Sequence, residues 1–190
     1  MSERLALNAI LVERLSRAHE KSLNGFSSYE KDLIDFLRED ALPNEETFIS
    51  TTHLWFHRES GKLMGYITLR ADALNLTAPL KEDFRKKGIK YKSLPALKIG
   101  RLCVDDRFLR RGLGTLMVDS AMIIAAELTE KIGCRFVTVE TKRHPDKSRN
   151  AIHFYRRNGF KILKEREKGA IPMYKDISKI MAGLTNRVQT

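Results

Sequence analysis

Cysteine is scarce in this chain. Only two occur in 190 residues, Cys103 and Cys134. That excludes a disulfide-built scaffold, and their spacing matches no metal-binding pattern. A metal is therefore not expected, and a reducing cytoplasm is the expected setting. Long apolar runs are missing as well. The longest central run, Ala121 to Ala126, is six residues, whereas a spanning helix needs ~20, so no membrane anchor is expected. The first residues, Met1-Ser2-Glu3-Arg4-Leu5, lack the charged-then-apolar pattern of an export signal. Repeats, low-complexity stretches and Pro/Gly/Ser linkers are absent too, which favours one domain over residues 1–190.

What is abundant is positive charge. Lys and Arg number 35 against 24 Asp and Glu, a formal +11, while a hydrophobic fraction of 42% provides for a folded core. Such a chain attracts polyanions: nucleic acid, a phosphorylated cofactor or an acidic protein. The charge is clustered. One group is Lys81, Arg85, Lys86, Lys87, Lys90 and Lys92; a second is Lys142, Arg143, Lys147, Arg149, Arg156 and Arg157. A solvated surface would look the same, so charge alone does not choose.

The hydrophobic pattern predicts an α/β domain. Ala9 to Leu15 reads as a strand. Ser27 and Glu30 form a candidate capping box before a helix carrying Tyr29, Leu33, Phe36 and Leu37, which should end near Ala41 ahead of Pro43. Thr51 to Arg58 and Leu63 to Ala71 read as a hairpin turned by 59–62. Thr77 to Lys87 suits a short helix, with Pro79 at its start and Gly88 past its end. Ala96 to Val104 is the next strand. Gly112 to Ile132 is the strongest helix, with a stripe of Leu113, Leu116, Met117, Ala121, Ile124, Leu128 and Ile132. Phe136 to Thr141 is a strand. Ser148 would cap a helix holding Ala151, Ile152 and Tyr155, ended by Asn158-Gly159, and Phe160 to Leu163 and Pro172 to Ile177 close the sheet. Alternation of strands and helices in the second half implies helices packed on a central sheet.

One junction carries chemistry. Val104 to Gly114 joins a strand to the strongest helix, and Gly112 and Gly114 permit close backbone approach. Free N–H groups at a helix start favour an anion, typically phosphate. Arg110 and Arg111 put positive charge where a helix prefers acids, a conflict that a bound anion removes. Neither a Walker A loop nor a dinucleotide fingerprint fits, since the Gly-Lys-Ser/Thr and the third glycine are missing.

Two stretches together carry a family resemblance. Arg101-Leu102-Cys103-Val104-Asp105 followed by Arg110-Arg111-Gly112-Leu113-Gly114, and later Ala151-Ile152-His153-Phe154-Tyr155-Arg156-Arg157-Asn158-Gly159-Phe160, resemble the acetyl-CoA-binding core of the GCN5-related N-acetyltransferases, over roughly Ser50 to Ile177. The resemblance implies a mixed, mostly antiparallel α/β (α+β) sheet splayed between its fourth and fifth strands, with residues 178–190 as a tail. It implies acetyl-CoA as cosubstrate, its pantetheine along the backbone of Leu102, Cys103 and Val104. The pyrophosphate would lie on Leu109, Arg110, Arg111, Gly112, Leu113, Gly114 and Thr115. Two positions depart from the family: Leu109 stands where Arg or Gln is usual, and Ser148 where Asn is common.

Acetyl transfer to an amine needs a neutral nucleophile, a polarised carbonyl and a proton for the departing thiolate. Tyr155 sits where the family places that acid, and a phenol is protonated at neutral pH. The Val104 N–H is the candidate for polarising the carbonyl. Glu140, His53, His57 and Asp105 are candidate bases, each equally readable as structural. Arg101, charged within an apolar strand, needs an internal acid or meets the acceptor. Cys103 reads as a small buried residue, so transfer should be direct.

The acceptor stays open at this level. A small amine or protein amino group is one reading. A narrower resemblance (Phe26, Asp32 to Leu37, Gly65 to Leu69, Arg101 to Asp105) is to the toxin-type members that acetylate aminoacyl-tRNA, which makes tRNA a candidate partner. A non-catalytic acyl-CoA-binding module is a third reading, and a homodimer is a further candidate arrangement.

Overall fold

The computed structural model describes residues 5–144 and 150–178. Seven strands hydrogen-bond in the order β1-β2-β3-β4-β5-β7-β6, antiparallel except for the parallel pair β4 and β5. They are β1 Ile10–Arg14, β2 Thr51–His57, β3 Leu63–Asn75, β4 Ser93–Val104, β5 Phe136–Thr141, β6 Lys161–Ile162 and β7 Ile171–Asp176. The helices are α1 Glu20–Leu23, α2 Lys31–Asp35, α3 Ala41–Glu46, α4 Ala78–Arg85, α5 Leu113–Thr129 and α6 Ala151–Arg157. The expected fold class is thus the observed one. The chain clusters into two compact units, one of Met1–Arg70 with Ile99–Ser120, the other of Ala71–Lys98 with Ala121–Thr190.

The first unit is built on the hairpin of β2 and β3. Apolar residues fill both faces of β3 from Leu63 to Leu69, which accounts for the near-continuous hydrophobic run. Leu54, Phe56, Tyr66 and Cys103 pack with Leu23, Phe26, Leu37 and Ala41. The buried Thr52 and Thr68 hydroxyls satisfy each other: they lie 2.9 Å apart and share a hydrogen bond. Phe26 and Phe36 flank the Tyr66 ring, and the Tyr66 hydroxyl donates to Leu33 O at 2.6 Å.

Two details of the N-terminal helices differ from expectation. The Ser27–Glu30 capping box does not form. Ser27 N–H instead donates to Asp105, and Glu30 N–H donates to the Ser28 hydroxyl. The helical path also continues beyond Ala41, through a π-helical turn at Phe36–Asp40 into α3. Ala41 N–H reaches back to Phe36 O. This wider turn ends three residues before Pro43, whose ring disrupts a regular α-helical ladder.

In the second unit Leu74, Leu76, Phe84, Leu94, Ala96 and Phe136 make the core. Strand β5 is buried on both faces, Phe136 to Val139 all being covered, and it pairs with β7 from Phe136↔Asp176 to Thr141↔Ile171. Helix α4 forms as expected, with Pro in its first turn and Gly88 at φ +77 beyond its end. Helix α5 stops at Thr129, whose side-chain hydroxyl donates to Ala126 O. The expected stripe therefore loses its last member: Ile132 lies past the helix and is 63% exposed. Ser148 lies outside the described residues. Asn150 is the observed cap of α6, its side chain accepting from Ile152 N–H at 3.0 Å.

Candidate functional site

The end of β4 in the first unit is held from two sides. Asp105 N–H donates to Met64 O at 2.8 Å. Beside it, β3 comes so close that only glycine fits at position 65. A Cβ there would overlap the end of the Met117 side chain and sit 2.7 Å from Cys103 O and 3.4 Å from Val104 Cα. Gly65 thereby sets the path of Cys103 and Val104, the stretch expected to meet the cofactor.

On the other side a buried carboxylate stitches the chain together. Asp105 is completely buried. It accepts from Ser27 N–H at 3.0 Å, Arg107 N–H at 3.0 Å, Arg107 Nε at 2.8 Å and Arg107 Nη2 at 2.7 Å. Arg107 also donates to Gly25 O at 2.7 Å. Asp106 extends the seam, its N–H donating to Ser27 O and its carboxylate accepting from Tyr29 N–H. Burial works to raise the Asp105 pKa. The Arg107 side chain and the Ser27 and Arg107 N–H groups outweigh it and hold the carboxyl below its ordinary value. Every strong acceptor position of this carboxylate is taken, so Asp105 braces the strand end and is not the base.

After this brace comes a 3₁₀ turn, Asp106–Phe108, and then the glycine-containing turn. Arg110 has φ +61 and Gly112 φ +84. A left-handed arginine costs about 1–2 kcal/mol, and such strain gathers where backbone is arranged for binding. Leu116 N–H is bonded to Gly112 O. The N–H groups of Leu113, Gly114 and Thr115 precede it and have no acceptor within the helix. A Cβ at Gly112 would meet nothing within 4 Å, so its glycine serves conformation rather than space. The turn's residues fit a diphosphate: unused helix-start donors, a left-handed backbone and two flanking arginines. Arg111 lies over the Phe108 ring at 5.6 Å. The Leu109 side chain, standing where the family has a polar one, is 39% exposed.

The other candidates in this unit separate cleanly. Cys103 is buried, and burial pushes its thiol up to about 12. A thiol that stays protonated at neutral pH is no nucleophile. Arg101 is exposed rather than enclosed in the strand, so it needs no internal acid. It lies 5.1 Å over the Phe36 ring and donates to Gly100 O. His53 is half-buried, and burial lowers its pKa, with Glu45 opposing and Arg14 assisting. His57 is hydrogen-bonded to Ser60 within the hairpin turn.

In the second unit Tyr155 is 5% exposed on α6. Phe154 and Phe160 meet its ring edge-on, at 5.0 and 5.3 Å between centroids. Phe160 N–H donates to Tyr155 O, closing the helix over Gly159 at φ +83. Burial raises the phenol's pKa, so the group is protonated throughout the physiological range. Glu140 pairs with Lys98 at 3.0 Å, which occupies the other candidate base. No group of three or more His, Cys, Asp or Glu side chains that could hold a metal occurs among the described residues. No helix among them is long and apolar enough to cross a membrane.

Sequence reasoning did not find the Gly65 close approach, because β2 and β3 read only as a hairpin. Nor did it find the Asp105–Arg107–Gly25 brace. The one hint was an acid at the strand end with an arginine two residues on.

A family model described as an acetyltransferase (GNAT) domain matches residues 50–162. Among solved structures, AtaT complexed with acetyl-methionyl-tRNAfMet is 21% identical, with a TM-score of 0.76 over 92% of this chain and 99% of that one. A mutant of KacT is 21% identical, with a TM-score of 0.75 over 92% and 98%. AtaTR bound with AcCoA is 22% identical, with a TM-score of 0.73 over 94% and 99%.

Proposed function

We propose that this chain, which belongs to the acetyltransferase (GNAT) domain family, acetylates the amino group of an aminoacyl-tRNA. That it is an acetyl-CoA-dependent N-acetyltransferase follows from the family. The acceptor is the proposal. The observation that brings it forward is that the fold of AtaT, a protein seen with an acetylated methionyl-tRNA, runs through nearly the whole of this chain. A net charge of +11 suits such a substrate. A small amine or protein amino group is the competing acceptor class.

Acetyl-CoA brings the activated thioester, and the chain's residues arrange it. Leu102, Cys103 and Val104 offer strand backbone to pantetheine, placed by Gly65 on one side and the Asp105 brace on the other. The Leu109–Thr115 turn receives the diphosphate on helix-start N–H groups. Ser148 is a further candidate contact outside the described residues. The Val104 N–H is the donor assigned to the thioester carbonyl. The acceptor nitrogen attacks the carbonyl carbon, the C–S bond breaks, and the departing sulfur takes the phenolic proton of Tyr155. The acceptor nitrogen releases its own proton to solvent, so the protein needs no dedicated base if the amine arrives neutral. An aminoacyl ester's α-amino group is well suited to that, since the adjacent ester makes it far less basic than a lysine side chain.

The direct test offers purified protein and acetyl-CoA to aminoacyl-tRNA, to free amino acids and to amino-terminal peptides, reading thiol release. Turnover confined to aminoacyl-tRNA supports the proposal. Equal or better turnover with a peptide or free amine overturns it.

A further inference from the structure

The segment joining β3 to β4 presents a cationic surface that the acetyl-CoA chemistry does not use. Its inner side is anchored. Phe84 is buried in the second unit's core, Leu80 and Ile89 pack against that core, and Leu76 N–H donates to Lys92 O at 3.0 Å, closing the loop at its base. Its outer side carries Arg85, Lys86, Lys87, Lys90 and Lys92, all exposed. Between the last two stands Tyr91, 72% exposed.

Five arginines elsewhere pair with acids: Arg14 with Glu45, Arg17 with Glu46, Arg107 with Asp105, Arg135 with Asp176 and Arg143 with Glu165. Among the described residues, none of the five cations of this segment has a carboxylate within ion-pair distance, although Glu82 and Asp83 are on the same short helix. Like charges held together without counter-ions repel one another. A partner that supplies regularly spaced negative charge relieves that repulsion.

We propose that this face is an RNA-binding surface, with Arg85, Lys86, Lys87, Lys90 and Lys92 meeting phosphates and Tyr91 stacking on an unpaired base. The inference deepens the acceptor reading and rests on it for the partner class; what it adds is the surface. Charge complementarity selects a polyanion. Tyr91 selects RNA among polyanions, because an exposed aromatic set between cations is the arrangement that stacks on bases. An acidic protein would call for an apolar centre to the patch, and here Phe84, Leu80 and Ile89 all face inward. The packing of Phe84, and Lys87 over its ring at 5.6 Å, keep the segment ordered before the partner arrives.

The test uses the full chain and a fluorescein-labelled 12-nucleotide single-stranded RNA, with binding read by anisotropy from 0.05 to 0.3 M salt. Each phosphate neutralised contributes about 0.7 to the salt slope of a single strand. Lys86→Glu with Lys90→Glu should weaken binding roughly tenfold or more and lower the slope by about 1.4. Tyr91→Ala should weaken binding about tenfold with the slope kept, while Tyr91→Phe binds as wild type. Circular dichroism confirms folding of each variant. Unchanged affinity in the double charge reversal overturns the proposal. So does equal binding of polyglutamate or of vesicles containing 30% phosphatidylserine, or indifference to Tyr91→Ala. The two readings fail differently. If the acceptor assignment is wrong, RNA is still bound through this face but aminoacyl-tRNA is not acetylated. If the surface is wrong, the charge-reversed variant acetylates aminoacyl-tRNA at the wild-type kcat/KM.

Discussion

Replacing Gly65 by alanine tests the idea that strand proximity positions the cofactor's binding edge. The added methyl meets two kinds of neighbour. The end of the Met117 side chain can turn away at small cost. Cys103 O, 2.7 Å from the new carbon, is backbone, and its neighbour Asp105 is fixed by Met64 O, Ser27 N–H and Arg107. An ordinary carbon–oxygen contact requires about half an ångström more, so Cys103 and Val104 must move by that order. Overpacking of this kind costs about 1–3 kcal/mol, or roughly 2–4 °C in Tm per kcal/mol for a chain of this size. A displacement approaching 1 Å at reacting groups costs up to ~10²-fold in rate. The expected result is therefore a modest fall in Tm with a fall of ten- to a hundredfold in kcat/KM for acetyl-CoA. Adding Met117→Leu removes the side-chain part of the clash. It should recover some of the Tm and none of the kcat/KM. A variant whose Tm falls while its kcat/KM stays at the wild-type value would refute the reasoning, since β3 would then support the fold without placing β4.

Other substitutions test separate parts of the account. Tyr155→Phe should lower kcat by ~10²-fold with KM for acetyl-CoA nearly unchanged, because it removes the proton and keeps the ring packing on Phe154 and Phe160; steady-state kinetics with normal turnover would leave the ring a packing residue. Asp105→Asn should destabilise the chain by about 2 kcal/mol at pH 7, since it weakens charge-assisted hydrogen bonds to Arg107 and Ser27. The folded carboxyl lies below its ordinary value, so its contribution is full above the unfolded pKa of about 3.9 and is lost as pH falls through the folded value. Denaturant titrations of both proteins should converge in that acid range, and a gap unchanged down to pH 2 would contradict the ionic role. Phe48→Gly should stabilise the chain by about 1 kcal/mol, because Phe48 holds φ +60 while 90% exposed; a lower Tm in thermal melts would show that the ring makes a contribution its exposure hides.

The order of elements, the α4 helix between Pro79 and Gly88, the turn at Arg110–Gly112 and the position of Tyr155 are all written in local pattern. Periodicity, proline and glycine act over a few residues, and so can be read without knowing what lies across the sheet. The end of the N-terminal helix departs from its local signal for a related reason. Pro43 is a local stop signal, but the π turn at Phe36–Asp40 carries the chain past it, among helices that bury Phe26, Leu37 and Ala41 against the hairpin. The role of Asp105 could not be read at all, because the partners that decide it, Ser27 and Gly25, lie some eighty residues away in sequence. The same holds for Gly65, whose glycine is demanded by a carbonyl on another strand, and for the distinction between paired and unpaired cations. Sequence determined which groups this protein carries and which local shapes they favour. Only the tertiary structure decided which are spent on holding the chain and which are left for chemistry, because hydrogen bonds, ion pairs and close packing form between groups that folding brings together.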